Sequence, residues 1–186
     1  MGMHFEVHTA TGLLVGVRQV VSPHQDDRPA GMAADLIVLH GISLPPGDFG
    51  GPWIDRLFTG SLPPDAHPYF ALIAGARVSA HVLIRRDGTP VQYVPFGARA
   101  WHAGVSEYEG RSACNDFSIG IELEGTDDVP YEAAQYAAAA GVIRALLRAF
   151  PGLSASRIVG HSDVAPGRKT DPGASFDWAR MRAALA

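Results

Sequence analysis

Glycine and proline limit the length of almost every regular element that this chain can form. The 186 residues include 21 glycines and 14 prolines, and these are spread along the sequence instead of being collected in one linker. Since both residue types interrupt helices and strands, their spacing predicts short elements joined by many turns. A hydrophobic content of 47% is enough for a sizeable core. We therefore expect one domain over residues 1–186, with residues 1–21 as an N-terminal lead-in.

One stretch carries almost none of these interruptions and predicts the longest helix. Residues 131–150 are rich in alanine and other strong helix formers, with Pro130 just before them and Pro151 just after. A short helix over residues 53–58 and a last helix over residues 176–184 are also expected.

Short apolar runs predict the strands of a β-sheet. The expected strands are residues 35–39, 78–85, 91–94, 117–124 and 156–160. An Asp-Gly turn at residues 87–88 is typical of a hairpin, here between the second and third of these strands. Hairpin-linked strands combined with separate helices favour an α/β (α+β) fold, with a mixed central β-sheet flanked by helices.

The strand at 117–124 alternates strictly between apolar and other residues. Ser118, Gly120, Glu122 and Glu124 therefore share one side of the strand. We expect Glu124 to be solvated. Glu122 has Gly120 and Ser118 beside it, which leaves open space on its face.

Two histidines stand in matching positions, and they make a metal site plausible. His40 and His161 each follow directly on a short apolar strand, where sheet proteins expose side chains to a cleft. A catalytic zinc takes three protein ligands, and Asp163 or Asp171 could supply the third. Spacing alone does not choose between the two aspartates. The alternative is that both histidines are hydrogen-bonded structural residues.

Charge and cysteine content exclude several other classes. A formal net charge of -4 without a block of like charge gives no footprint for nucleic acid or for an anionic membrane. Cys114 is the only cysteine, so no intrachain disulfide can form, and we expect a cytoplasmic protein. A thiol nucleophile paired with His102 or His161 is an alternative, but a buried structural thiol is favoured. The remaining candidates His24, His67, His81 and His102 are interpreted as structural or surface residues.

Four segments in the same order resemble a known family. They are HGISLPPG at residues 40–47, FGGPW at 49–53, NDFSIGIELEGTD at 115–127 and RKTDPG at 168–173. Together they resemble the AmpD-type N-acetylmuramoyl-L-alanine amidases, over a span from about Ser22 to Trp178. The resemblance implies a fold like that of the peptidoglycan recognition proteins and amidases.

The resemblance also implies an activity and the residues that perform it. The family hydrolyses the amide between N-acetylmuramic acid and L-alanine, prefers 1,6-anhydro-muramyl peptides and serves peptidoglycan recycling. On matching positions, one Zn²⁺ per chain is held by His40, His161 and Asp171. Glu122 is the general base, and Lys169 is the second catalytic residue. The expected partner is a muropeptide substrate, and we expect a monomer.

Substrate contacts follow from the same resemblance, with some departures. Arg77 is expected to pair with a peptide carboxylate, and Trp101 is expected to stack on the sugar ring. Gly41 replaces a side-chain amide of relatives, so one polar contact is expected to be missing. Ala113 replaces an arginine of relatives, which leaves Arg111 as the nearest cation for the acidic stem.

Two other functions are compatible with the same architecture. The first is a module that recognises muramyl peptides without cutting them, which loss of a metal ligand usually marks. The second is an autolysin or phage lysin acting on intact wall. All three ligand positions and Glu122 are present, which favours the enzyme.

Overall fold

The computed structural model describes residues 3–186. Met1 and Gly2, the first residues of the predicted lead-in, lie outside that range. The strands are β1 Val7–His8, β2 Leu13–Leu14, β3 Arg18–Gln19, β4 Gln25–Asp26, β5 Leu36–Ile42, β6 Val82–Ile84, β7 Pro90–Gln92, β8 Arg99–Ala100, β9 Glu107–Tyr108, β10 Arg111–Ser112, β11 Ser118–Glu124 and β12 Ile158–Gly160. The helices are α1 Trp53–Phe58, α2 Pro68–Ile73, α3 Ala133–Ala149, α4 His161–Val164 and α5 Trp178–Leu185, with a 3-10 turn at Cys114–Asp116.

A six-stranded mixed sheet organises the fold, in the order β12-β5-β11-β6-β7-β3. The central strand β11 runs parallel to both β5 and β6, and β12 runs parallel to β5 on the other side. β7 turns back antiparallel to β6, and β3 adds parallel to β7 at the edge. The predicted mixed sheet flanked by helices is confirmed. The lead-in is not separate from it, because β3 comes from residues 1–21.

The two faces of the sheet have different roles. Alternate residues Ile37 and Leu39 of β5 join Ile119 and Ile121 of β11 in the largest apolar cluster, together with buried residues of α3. The other residues of β5 and β11 face away from α3, and His40 is among them. Every residue of β11 is buried, so its polar side is covered as well. The sheet therefore carries, opposite α3, a second face on which apolar residues such as Leu36 and Val38 lie beside buried polar side chains.

The predicted helices form with small shifts at their first residues. α1 has the predicted bounds. α3 begins at Ala133 because Glu132 caps it, with the Glu132 amide donating to Oε1 of Gln135 at 3.0 Å. α5 is likewise capped by Asp177, whose carboxylate accepts from the amide of Arg180. α2, a six-residue helix, has no counterpart among the predicted helices.

The prediction that Glu124 is solvated is wrong. Its side chain is 2% exposed and holds the loop before α1 against the hairpin. The carboxylate accepts from the amide of Gly50 at 2.6 Å and from the amide of Arg86 at 3.1 Å, and it pairs with Arg85 at 3.3 Å. Strand alternation identified its side of the sheet but could not show that a loop covers that side.

The predicted hairpin is confirmed, with shorter strands, in β6 and β7. The amide of Thr89 donates to Oδ1 of Asp87 at 2.8 Å, and Gly88 has φ +84°. A Cβ at Gly88 would lie 2.8 Å from the carbonyl oxygen of Ala134 in α3. Gly88 is therefore required both by the turn and by the packing of α3 against it.

The substitution Gly88→Ala tests this double constraint, with Gly16→Ala as its matched control. Gly16 also has positive φ, at +71°, but nothing lies within 4 Å of an added Cβ. Both variants should lose about 1–2 kcal/mol of unfolding free energy from backbone strain. Gly88→Ala should lose a further ~1–3 kcal/mol because the helix must move. Urea unfolding measures both, and equal losses would contradict the contact.

Candidate metal and substrate site

Three side chains far apart in sequence converge at one end of the sheet. The Nδ1 atoms of His40 and His161 lie 2.9 Å apart. Oδ2 of Asp171 lies 3.0 Å from Nδ1 of His161 and 3.3 Å from Nδ1 of His40. The geometry thus groups Asp171 with both histidines as residues that could hold a metal ion.

The parallel strands bring these residues together. Gly160 of β12 pairs with Leu39 of β5, and the two strands are parallel. The residues that follow them, His161 and His40, therefore lie at the same level of the sheet. Asp171 returns to them through a tight loop whose backbone is tied to α4 by the hydrogen bond from the Ser162 amide to the Asp171 carbonyl, at 3.0 Å. The ligand atoms therefore rest on elements with fixed backbone positions.

Asp163 lies outside this cluster. Its Oδ2 accepts from the amide of Gly160 at 2.7 Å, at the start of α4. A helix start leaves amides without intrahelical partners, and this aspartate satisfies one of them. Of the two aspartates that the sequence left open, Asp171 is the one beside the histidines.

The protonation states suit a cation. Burial lowers the pKa of His40 to about 4, so its imidazole is neutral at neutral pH. Burial raises the pKa of Asp171, but its contacts with His161 and His40 lower it by more, so the carboxylate is ionised. Metal ligands must be neutral imidazoles and ionised carboxylates.

The hydrogen bonds of His161 add a direct test of whether a metal fits. Its Nε2 lies 3.1 Å from the carbonyl oxygen of Ala103, which can only accept, so Nε2 carries the proton. Nδ1 therefore presents a lone pair to the Asp171 carboxylate only 3.0 Å away. Two acceptors at that distance repel each other unless a proton or a metal cation lies between them. The donor set fits a zinc ion on these grounds.

Glu122 stands beside the cluster on the neighbouring strand, where it pairs in register with His40. It is buried, and within residues 3–186 its Oε2 has no hydrogen-bond partner. Burial, assisted by the charge of Asp171, raises the pKa of Glu122 well above its ordinary value, while Lys169 acts in the opposite direction. An unpaired buried carboxyl group with a raised pKa is typical of a group that exchanges protons.

A cavity of about 710 Å³ opens over these groups. His40, His161, Asp171, Glu122, Lys169 and Trp101 all line it. Arg77 is placed at its margin, where the guanidinium stacks over the Trp101 ring at 4.9 Å. The cavity therefore unites the predicted metal and catalytic residues with one of the two predicted substrate contacts, and the second lies next to it.

The departures noted in the sequence have structural explanations. Arg111 pairs with Asp35 at 2.7 Å and lies over the Phe117 ring at 3.6 Å, and its expected role toward the acidic stem stays a prediction. Arg168 and Lys169 are the cations that line the cavity among the described residues.

Tyr131 occupies the space beside Gly41. A Cβ at Gly41 would collide with the Tyr131 hydroxyl, and one at Gly125 would collide with the ring. The hydroxyl donates to the carbonyl of Pro172 at 2.9 Å, directly after Asp171. Tyr131 therefore fills the space that a side chain at position 41 would occupy, and its hydroxyl supports the loop that carries Asp171.

Cys114 has the buried surroundings that were expected, whereas His102 lies closer to the metal cluster than was expected. Cys114 is buried in an apolar cluster with Leu36 and Val38, and burial raises its thiol pKa, which excludes the nucleophile alternative. His102, interpreted as structural or surface, has its Nδ1 2.9 Å from Nε2 of His40. Gly120 was the available signal, since a glycine inside a strand often marks a close approach.

Comparison with known proteins agrees with this geometry. Residues 30–174 match the family described as N-acetylmuramoyl-L-alanine amidase. The 1,6-anhydro-N-acetylmuramyl-L-alanine amidase AmpD of Escherichia coli K12 is 64% identical over 171 residues, which cover 92% of this chain and 93% of that protein.

Solved structures agree as well. The crystal structure of a selenomethionine AmpD derivative has a TM-score of 0.92 at 62% identity, covering 95% of this chain and 98% of that chain. The complex of the amidase AmiD from E. coli with its substrate anhydro-N-acetylmuramic acid-L-Ala-D-γ-Glu-L-Lys has a TM-score of 0.59 at 26% identity, covering 84% and 60%. The chain belongs to the N-acetylmuramoyl-L-alanine amidase family.

Proposed function

We propose that this protein hydrolyses the amide bond between 1,6-anhydro-N-acetylmuramic acid and L-alanine of muramyl peptides, in peptidoglycan recycling. The observation that carries the proposal is the unpaired, buried Glu122 beside the His40, His161 and Asp171 cluster at the base of the cavity. The identity of 64% to an anhydromuramyl-L-alanine amidase over 92% of the chain supports the same reaction.

His40, His161 and Asp171 are proposed to hold one zinc ion through Nδ1, Nδ1 and Oδ2. When bound there, zinc supplies a Lewis acid that lowers the pKa of water to about 7 and polarises the amide carbonyl. The chain's part is to keep both imidazoles neutral and the aspartate ionised, which burial and the mutual contacts of these residues favour.

Glu122 is proposed as the general acid–base. Glu122 lines the cavity, and its Oε2 has no hydrogen bond within residues 3–186 that must break before it takes a proton. Having taken a proton from the nucleophilic water, it can pass that proton to the departing alanine nitrogen. A carboxyl group with a raised pKa is suited to holding the proton between these two steps.

Lys169 is proposed to stabilise the negative charge that develops on the amide oxygen. It lines the cavity and lies near enough to influence the pKa values of both Glu122 and His40. Its neighbour Arg168 cannot share this task freely, because its guanidinium donates to the carbonyls of Ala103 and Val105 at 2.6 and 2.7 Å. A preorganised cation contributes most where charge appears only in the transition state.

Trp101 and Arg77 are proposed to bind the substrate on the far side of the metal. The Trp101 indole lines the cavity and is held by its hydrogen bond to Asp26, at 3.1 Å, and by the His24 ring stacked 5.9 Å away. Arg77 is exposed and lies over that ring, so it can reach an acidic group of the stem peptide.

The proposed location is supported by composition, and the proposed partner by the relatives described above. Within residues 3–186 no helix combines the length and the apolar character needed to cross a membrane. We propose a cytoplasmic monomer that acts on a muropeptide and does not bind nucleic acid, in keeping with the single buried cysteine and the net charge of -4.

The reaction itself is tested with anhydro-muramyl tripeptide. Zinc-loaded protein should release the L-alanyl peptide, chelator should abolish the release, and added zinc should restore it. The reason is that His40, His161 and Asp171 cannot activate water without the metal. Chromatography of the products measures all three. Tight binding of the tripeptide without release would instead favour the recognition module.

Substitutions at Asp171 and Glu122 separate metal binding from catalysis. Asp171→Ala should lose zinc, since one of the three ligands is removed. Glu122→Gln should keep zinc and lose about 100- to 10,000-fold in kcat, since the proton carrier is removed. Zinc content by metal analysis and kcat on the tripeptide are the measurements.

Asp163→Ala is the matched control, because Asp163 lies on the same segment but outside the cluster. It should retain zinc and turnover. Equal zinc loss in Asp171→Ala and Glu122→Gln would contradict the separate roles.

Replacing Lys169, the only lysine among 15 basic residues, tests its role in the transition state. Lys169→Met keeps the length of the side chain and removes the charge, so kcat should fall about 100- to 1,000-fold with little change in KM. Steady-state kinetics on the tripeptide give both constants. A rise in KM at constant kcat would assign the residue to substrate binding alone.

A further inference from the structure

A chain of hydrogen bonds leads from the rear of His40 into the interior. Nε2 of His40 lies 2.9 Å from Nδ1 of His102, and Nε2 of His102 lies 3.2 Å from Oγ of Ser118. Oγ of Ser118 in turn lies 2.5 Å from the carbonyl oxygen of Cys114. His40, His102, Ser118 and Cys114 are all buried, so bulk water does not compete for these contacts.

The contact between Ser118 and the Cys114 carbonyl determines the position of each proton in this series of hydrogen bonds. A carbonyl oxygen only accepts, so the single hydroxyl proton of Ser118 is directed to Cys114. Oγ must then accept from His102, which places the His102 proton on Nε2 and a lone pair on Nδ1. That lone pair accepts from His40, whose proton is therefore on Nε2. The remaining nitrogen of His40, Nδ1, presents its lone pair to the metal cluster.

Ala103, which follows His102 in the sequence, fixes the tautomer of His161 in the same way. The carbonyl of Ala103 accepts from Nε2 of His161 at 3.1 Å, which leaves Nδ1 of His161 free as a ligand atom. Oδ1 of Asn115 holds this dipeptide in place by accepting from the amides of His102 and Ala103, at 3.1 and 2.8 Å. The tautomers of His40 and His161 therefore both depend on the dipeptide His102–Ala103, which Asn115 holds in place.

The strand next to this dipeptide leaves room for it. A Cβ at Gly120 of β11 would collide with the imidazole of His102. The imidazole of His102 lies between two hydrogen-bond partners, with Nδ1 facing His40 and Nε2 facing Ser118, so it can accept on one side and donate on the other. Space, burial and hydrogen bonding all favour one orientation and one tautomer of this ring.

We propose that His102 is a positioning residue, which fixes His40 as its Nε2–H tautomer and so aims Nδ1 of His40 at the metal. Residues behind a metal ligand set its tautomer and orientation, and their loss costs about 10- to 100-fold in metal affinity. The inference rests on the metal role proposed above for His40, His161 and Asp171.

Two substitutions at His102 separate the hydrogen bond from mere packing. His102→Leu fills a similar volume without an acceptor, and zinc affinity should fall about 10- to 100-fold. His102→Asn keeps an acceptor oxygen close to the position of Nδ1 and should recover most of that loss. Competition with a fluorescent zinc chelator measures the affinities, and thermal unfolding checks that each variant is folded. Equal zinc affinities in the two variants would overturn the proposal.

The wild-type protein offers a second readout that no folding defect can obscure. In zinc-loaded protein, long-range proton–nitrogen NMR correlations should find His102 with its proton on Nε2 and an unprotonated Nδ1. A proton on Nδ1 of His102 would overturn the proposed direction of hydrogen bonding, in which His40 donates to His102 and His102 donates to Ser118. Failure of wild-type protein to bind zinc would instead refute the metal site itself, so the two hypotheses can be distinguished.

Discussion

The parallel pairing of β5 with both β11 and β12 is the constraint on which the rest of the site depends. One neighbour sets Glu122 beside His40, and the other brings His161 to the same level. Side chains alternate between faces along a strand, so a slip of one residue in either pairing would turn the functional side chain toward α3. The apolar residues that alternate with His40 and Glu122 prevent this slip, since they are packed under that helix.

The sequence contained most of this arrangement in patterns of near neighbours. Apolar runs identified the strands that end at His40 and His161, and alternation identified the side of β11 that carries Glu122. Spacing could not decide between Asp163 and Asp171, because a loop separates Asp171 from α4 and its course depends on contacts distant in sequence. The resemblance to a family chose Asp171, and the geometry agrees.

The features that sequence reasoning missed involve covering and contact between distant segments. Glu124 alternates like a solvated residue, yet a loop from another part of the chain buries it. His102 stands in a loop, and only folding brings it behind His40. Glycines at 41, 120 and 125 marked such contacts, because each leaves space for an aromatic or imidazole side chain. A glycine in a sequence does not say which side chain fills that space.

The free carboxylate of Glu122 has a consequence for how such a protein can evolve. A buried ionisable group without a hydrogen-bond partner in residues 3–186 lowers the stability of the folded state, so the proposed general acid–base is kept at a thermodynamic disadvantage. An uncharged side chain at that position would relieve the disadvantage and leave the cavity walls and the metal cluster in place. Selection for stability alone would therefore favour replacement of this carboxyl group, and only selection for the proposed catalytic role of Glu122 opposes that replacement.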